Sequence, residues 1–178
     1  NGDMDTIGSA IALSSIHPSL LACGLHLGRV AKRMVEDLQA PYRKIAAKGT
    51  AFPEQMGGII IVDAAAPDQV GIDLPDVPRL ILDHHATNGW EIRDGDIMIQ
   101  WDVRATTEMI ATYMLEYAKE ALTEPVRKML LAGMITDTGR FRHANASSFS
   151  TTTKLLEDSK IDYAEFCEQI EREETSPS

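Results

Sequence analysis

Short apolar runs alternate with stretches of helical spacing along this chain, the pattern of a parallel α/β sheet. Ile59-Ile60-Ile61-Val62 is a continuous β-branched run, the kind of strand that is buried on both faces. Arg79-Leu80-Ile81-Leu82 reads as a second buried strand. Asp96 to Trp101 and Leu20 to Cys23 read as two more. Leu27, Val30, Ala31, Met34, Val35 and Leu38 fall on one helical face. Thr6 to Ser15 opens a helix straight out of a loop. Thr106 to Glu120 predicts another, with Thr106 or Thr107 as its N-cap. Pro125 to Ile135 takes Pro125 into a helical first turn. Ser150 to Ser159 and Tyr163 to Glu173 complete the helices. Residues 1–173 therefore read as one domain. Glu174 to Ser178, polar and holding Pro177, read as the start of a linker.

Composition narrows the class. The 178 residues suffice for one domain with a real core, and 44% hydrophobic with 25% charged residues is ordinary for a globular protein. The formal net charge is −10, opposite in sign to that of a chain that grips duplex nucleic acid by its phosphates. Such acidity fits either a solvated surface or a group of carboxylates that receives cations. Cys23 and Cys167 lie far apart and form no Cys-x-x-Cys pair, so free thiols in a reducing cytoplasm are expected. No apolar run approaches the roughly 18 residues of a membrane span, and no signal peptide is visible. The expected location is the cytoplasm, with no membrane partner. The chain opens at Asn1 directly on a motif, as a trimmed sequence does.

Four segments place acids or histidines at the ends of elements. The first is Asn1-Gly2-Asp3-Met4-Asp5-Thr6-Ile7-Gly8-Ser9-Ala10. Carboxylates at i and i+2 in an extended loop can reach two neighbouring cations. The helix that follows turns its N-terminal amides toward phosphate oxygens. Asp63 closes the Ile-Ile-Ile-Val run. Asp83-His84-His85 closes the Leu-Ile-Leu run. The fourth segment is Gly133-Met134-Ile135-Thr136-Asp137-Thr138-Gly139-Arg140-Phe141. In a parallel sheet the ligand site lies beyond the carboxyl ends of the strands, where Asp63, Asp83 and His84 would meet. Hard oxygen donors with imidazole suit manganese, magnesium, zinc or cobalt. Two such ions about 3.5–4 Å apart can clamp a phosphoryl displacement.

The four segments, in this order from Asn1 to Phe141, resemble the DHH phosphoesterase family. That family includes RecJ-type exonucleases, nanoRNA-degrading oligoribonucleases, cyclic-dinucleotide phosphodiesterases and manganese-dependent inorganic pyrophosphatases. The resemblance implies a Rossmann-like α/β domain with a mostly parallel, roughly five-stranded sheet flanked by helices. It implies two divalent ions, manganese foremost, and hydrolysis of a phosphodiester or phosphomonoester by a water that the two ions activate. Asp3 would bind the first ion and Asp5 the second. Asp63 would bridge both, and His84 and Asp137 would complete the second. His85 would face the substrate phosphate or act from behind the ligands, and Asp83 would orient its neighbours. Asp63, His84 and His85 are thus the expected catalytic residues. Arg140 and Arg142 are candidates to pair with a phosphate, and Thr107 to cap a helix aimed at the site. Trp90 and Trp101 could stack a base, with packing as the simpler account.

The wording of the first and fourth segments stands nearer the RecJ-like and nanoRNase-like branch than the pyrophosphatases. The expected substrate is a nucleotide or short single-stranded oligonucleotide. Two alternatives stand beside this: a manganese-dependent pyrophosphatase, and a silent scaffold that keeps the fold for binding. Two departures bear on them. The family's first motif begins with a metal-binding His four residues before its first Asp, two positions before Asn1. Most members also carry a second, substrate-binding domain after a linker, which is expected here in the full-length protein. A homodimer is compatible with the family.

Overall fold

The computed structural model describes residues 2–175. Helix α1 (Met4–Ser14) begins two residues before the expected Thr6, because Asp3 caps it: the Asp3 carboxylate accepts the Thr6 backbone N–H at 3.0 Å. Met4, Ile7, Gly8, Ile11 and Ala12 form its buried face. That face packs on α5 (Glu124–Asp137), the most enclosed helix, in which Met129 to Ile135 are buried without a break.

Between these helices run five parallel strands in two groups. β1 (Cys23–Gly24) pairs with β2 (Arg43–Lys44) across α2 (Arg29–Asp37). β3 (Ile59–Val62), β4 (Arg79–Asp83) and β5 (Ile97–Gln100) form the second group in that order, with the four-residue helix α3 (Pro67–Val70) between the first two. The expected single sheet of about five strands is therefore divided, two strands from three. The expected strand Leu20–Cys23 contracts to Cys23–Gly24, following the turn in which Leu20 N–H donates to the His17 carbonyl. Residues of β1 and β3 line a shared, largely apolar cavity of about 600 Å³, and among the described residues no ladder crosses it.

β4 is the central strand and is covered on both faces, as its unbroken apolar run requires. Leu82 joins the large core built by α1, α4 (Thr106–Tyr117), α5, α6 (Ala146–Leu156) and α7 (Tyr163–Thr175). Ile81 points the other way, to Ile61, Ala64 and Trp90. Trp90 is a packing residue: its Nε1 donates to the Ala64 carbonyl at 2.7 Å, and the Arg79 guanidinium lies 5.4 Å from its ring centre. Arg79 in turn donates through Nε to Asp96 at 2.9 Å.

Several helix ends differ from expectation, three of them for plain local reasons. α4 stops at Tyr117, and a 3₁₀ turn, Lys119–Ala121, takes over. α6 starts four residues early because Asn145 and Ser148 cap each other reciprocally. α7 runs through Glu174 and Thr175, the first two residues of the expected linker. Residues 176–178 lie outside the described residues.

The α1–α5 contact leaves no room at Gly8, where a Cβ would lie 2.7 Å from the Met129 carbonyl oxygen. Gly8→Ala is expected to force the helices apart and lower stability by about 1–3 kcal/mol in urea unfolding. Gly57→Ala, whose Cβ meets nothing within 4 Å, is the matched control and is expected to stay within about 0.5 kcal/mol of the parent. Equal stability of the two variants would show that the α1–α5 contact is not tightly packed.

Candidate metal centre

Asp5 lies in the first turn of α1 and is buried. Its carboxylate reaches across to the start of α4. Oδ2 accepts the Thr106 N–H at 2.7 Å, and Oδ1 accepts the Thr107 N–H at 2.8 Å and the Thr107 hydroxyl at 2.5 Å. The N-cap of α4 is Ala105, which has no side-chain oxygen to offer, so Asp5 caps this helix from another element. Thr106 and Thr107, expected as caps, are instead the first helical residues. They serve as donors to the acid.

Asp63 ends β3 in the left-handed region, φ 57°, a conformation that Asp tolerates better than most residues. Its N–H still bonds the Leu82 carbonyl at 2.9 Å, so the turn begins within the last rung of the ladder. Its Oδ2 accepts the Thr6 hydroxyl at 2.5 Å, and its Oδ1 lies 3.3 Å from the Thr106 hydroxyl. Asp83 ends β4 fully buried, with Oδ1 2.7 Å from His85 Nδ1. Asp83 Oδ2 is buried with no hydrogen-bond partner among the described residues. The Gln100 amide donates to the His85 carbonyl and ties the loop to β5.

His84 is the point of convergence. Its Nε2 lies 3.4 Å from Asp137 Oδ2, 3.5 Å from Asp63 Oδ1 and 3.8 Å from Asp5 Oδ2. These separations exceed a good hydrogen bond. They approach the roughly 3.0–3.4 Å edges of a shell with bonds of about 2.1 Å. Two donor groups lie within 4.8 Å: Asp5 with His84 and Asp137, and Asp63 with His84 and His85. Carboxylate oxygen and imidazole nitrogen are a fitting set for a divalent ion. Asp5, His84 and Asp137, expected at the second ion with the bridging Asp63, thus lie together. Asp3 stands to one side, where it lines a cleft of about 330 Å³ with Asp5, Asp137, Arg29, Thr136 and Glu174.

Crowding sets the protonation. Burial, then the charges of Asp63 and Asp137, push the Asp5 carboxyl up to about 7 against the pull of Thr107. Burial also raises Asp137, helped by Asp63 and Asp3 and opposed by the two imidazoles. Burial works against ionised Asp63, but His84, Thr6 and His85 outweigh it and hold this carboxyl below the usual range. Burial likewise disfavours charged His84, yet the surrounding carboxylates lift it to about 9.

Thr6 was not singled out by sequence, although its hydroxyl joins Asp3 at 2.8 Å to Asp63. A hydroxyl directly after the second acid was the available signal. Glu108 was also passed over. It is buried, accepts the Ser148 hydroxyl at 2.9 Å and that of Ser147, and ties α4 to the first turn of α6. Of the two candidate phosphate partners, Arg140 is engaged by Glu171 at 3.4 Å and by Glu174. Arg142 is exposed, and no hydrogen bond or ion pair joins either arginine to the acid cluster among the described residues. The ring of His26 packs against Gly2, while His17 bonds Ser19.

The architecture and sequence have known relatives. The chain is 26% identical over 167 residues to MJ0988, an uncharacterized protein of Methanocaldococcus jannaschii, covering 89% of this chain and 49% of that protein. It superposes on a candidate family II inorganic pyrophosphatase of Methanococcus jannaschii with a TM-score of 0.72 and 21% identity, covering 96% of this chain and 58% of the other. An exopolyphosphatase-related protein of Bacteroides fragilis gives a TM-score of 0.62 and 17% identity, with 99% and 54% covered. At these identities the two superpositions show the fold, and the chain spans about half the length of each relative. No helix among the described residues is long and apolar enough to cross a membrane. The match to the family described as "DHH family, N-terminal domain" extends over residues 1–136, and with its acids and histidines gathered at one edge of the sheet, this chain belongs to the DHH family.

Proposed function

We propose that this domain is the metal-binding part of a phosphoesterase that hydrolyses phosphodiester or phosphomonoester bonds of nucleotides or short oligonucleotides. The observation that carries the reading is His84 Nε2 ringed at 3.4–3.8 Å by carboxylates from α1, β3 and α5. Asp5, Asp63, His84 and Asp137 would hold divalent ions, manganese foremost, with Asp3 on the open side of the cleft. Bound ions would supply Lewis-acid polarisation of a phosphoryl oxygen and an activated water.

The chain's own residues then have separable tasks. Asp83 fixes the His85 ring through Nδ1, which leaves the ring's other nitrogen as the one available to a phosphate oxygen. Thr107 and the α4 amides hold the Asp5 carboxylate in one orientation. Thr6 couples Asp3 to Asp63. A second reading, hydrolysis of a phosphoanhydride, follows from the names of the two structural relatives. A panel of short oligonucleotides, nucleoside monophosphates, pyrophosphate and bis-p-nitrophenyl phosphate separates the two.

Asp63→Ala is expected to abolish manganese-stimulated hydrolysis and reduce metal content. Asp83→Asn, which keeps the fold but misdirects His85, should lose about 10–100-fold in activity. Full activity in Asp63→Ala would refute the site.

Metal binding is expected to depend on pH in a definite sense. Asp5 retains its proton up to about 7 and His84 up to about 9, and both must lose it to coordinate. Affinity should therefore rise as pH rises through the first value and then the second, with protons released on binding. Calorimetry in buffers of different ionisation enthalpy counts them. Thr107→Val removes a group that lowers Asp5 and should move the first rise to higher pH. Affinity independent of pH across this range would contradict the proposed ligands.

A further inference from the structure

Glu108 stands in the first turn of α4 and is completely buried. Among the described residues it is held by three donors, none of them a cationic side chain. These are the Ser147 hydroxyl, the Ser148 hydroxyl at 2.9 Å and the Arg104 backbone N–H at 3.3 Å. A carboxylate is an expensive group to bury without a counter-ion. Its place at the first turns of two helices, α4 and α6, offsets part of that cost. Its position also decides what it fixes. The Thr106 and Thr107 amides and the Thr107 hydroxyl grip Asp5, and Glu108 secures the same turn from the other side. It reaches back to Arg104, one residue before the Ala105 cap, and is anchored on α6 through the two serines. The start of α4 is therefore clamped between two acids. Thr107 has no slack in which to follow a displaced turn, since a Cβ at Gly133 would lie 2.5 Å from its γ-methyl.

We propose that Glu108 is a positioning residue of the metal centre. By fixing the first turn of α4 on α6, it sets the direction in which Asp5 presents its carboxylate to the ion that Asp5, His84 and Asp137 would share. The inference rests on the ligands named in the phosphoesterase reading and deepens it. Asp5 Oδ2 accepts the Thr106 N–H at 2.7 Å and lies 3.8 Å from His84 Nε2. One side of that oxygen is thus committed to α4, and the other faces the cluster. Both Asp5 oxygens are held by residues 106 and 107, so a rotation of this turn rotates the carboxylate with it. Partners behind a ligand commonly govern metal affinity in this way. Glu108 touches neither the cluster nor a substrate, and its effect passes through Thr106 and Thr107.

Manganese affinity is the test, with unbound Mn²⁺ counted by its paramagnetic resonance signal at one fixed pH and circular dichroism to show that each variant folds. Glu108→Ala is expected to weaken binding by about tenfold or more. Glu108→Gln keeps the shape and an acceptor oxygen, and should restore affinity to within about threefold of the parent. The losses in Glu108→Ala and Thr107→Val should not add in the double variant, because both act on the same carboxylate. Asn145→Ala weakens the start of α6 without removing Glu108, and is expected to lower the melting temperature and leave manganese affinity unchanged. If Glu108→Ala does not fold, Ser147→Ala carries the test, with an expected loss of about threefold. A parent chain that binds no manganese would overturn the phosphoesterase reading and this inference together. A parent that binds it, beside a folded Glu108→Ala or Ser147→Ala that binds it equally well, would overturn this inference alone. So would fully additive losses in the double variant.

Discussion

The Asp5 carboxylate is the interaction on which the arrangement depends. It is buried, and its two oxygens satisfy the first amides of α4 while one of them faces His84. A helix start that begins at Ala105 has no cap of its own, and an uncapped buried helix end is costly. The acid that reads as a metal ligand is therefore also the group that positions α4. α4 in turn carries Thr106 to Asp63 and Glu108 to α6. Movement of Asp5 would disturb three helices and the acid cluster together.

The same burial creates an electrostatic debt within the cluster. Asp5, Asp63 and Asp137 surround one imidazole, and the single proton of the Thr6 hydroxyl can serve only one of the two carboxylates it touches. Asp5, raised first by burial and then by its neighbours' charge, and His84, raised by the carboxylates against its own burial, both reflect that crowding. Each stores a proton where a cation would do the same work. The left-handed backbone of Asp63 belongs to this account. Strain of this kind is retained where the surroundings over-determine it, and here two hydroxyls and two imidazoles converge on that one side chain.

Much of this could be read from the sequence, because the acids and histidines of the cluster sit at the ends of elements whose apolar runs are plain. The Ile-Ile-Ile-Val and Leu-Ile-Leu strands, and the acids that close them, need only local pattern to be recognised. The rest depends on contacts between distant segments. Asp5 and Thr107 are 102 positions apart, and neither local sequence announces the other. Arg140 sits beside the fourth motif, yet Glu171 and Glu174 on α7 claim it, and no local pattern at residue 140 shows that. The division of the sheet was hidden for another reason. Strand propensity identifies segments, while the ladder between them depends on what fills the space separating β1 from β3.

Charge balance around the cleft also bears on how an anionic substrate could approach. Asp3, Asp5, Asp137 and Glu174 line it, and Arg29 is the only cationic side chain lining it among the described residues. Arg140 is held by acids and does not offset them. A phosphate brought to this cleft alone would meet a field of its own sign, with like charges a few ångströms apart repelling strongly in a partly buried setting. Under the proposed function, cations held by the cluster would offset these acids before a phosphate enters. That order follows from the side chains that wall the cleft and needs no knowledge of which ester is cleaved. Under that reading a chain of net charge −10 is compatible with an anionic substrate, since the acids would recruit the charge that the substrate requires.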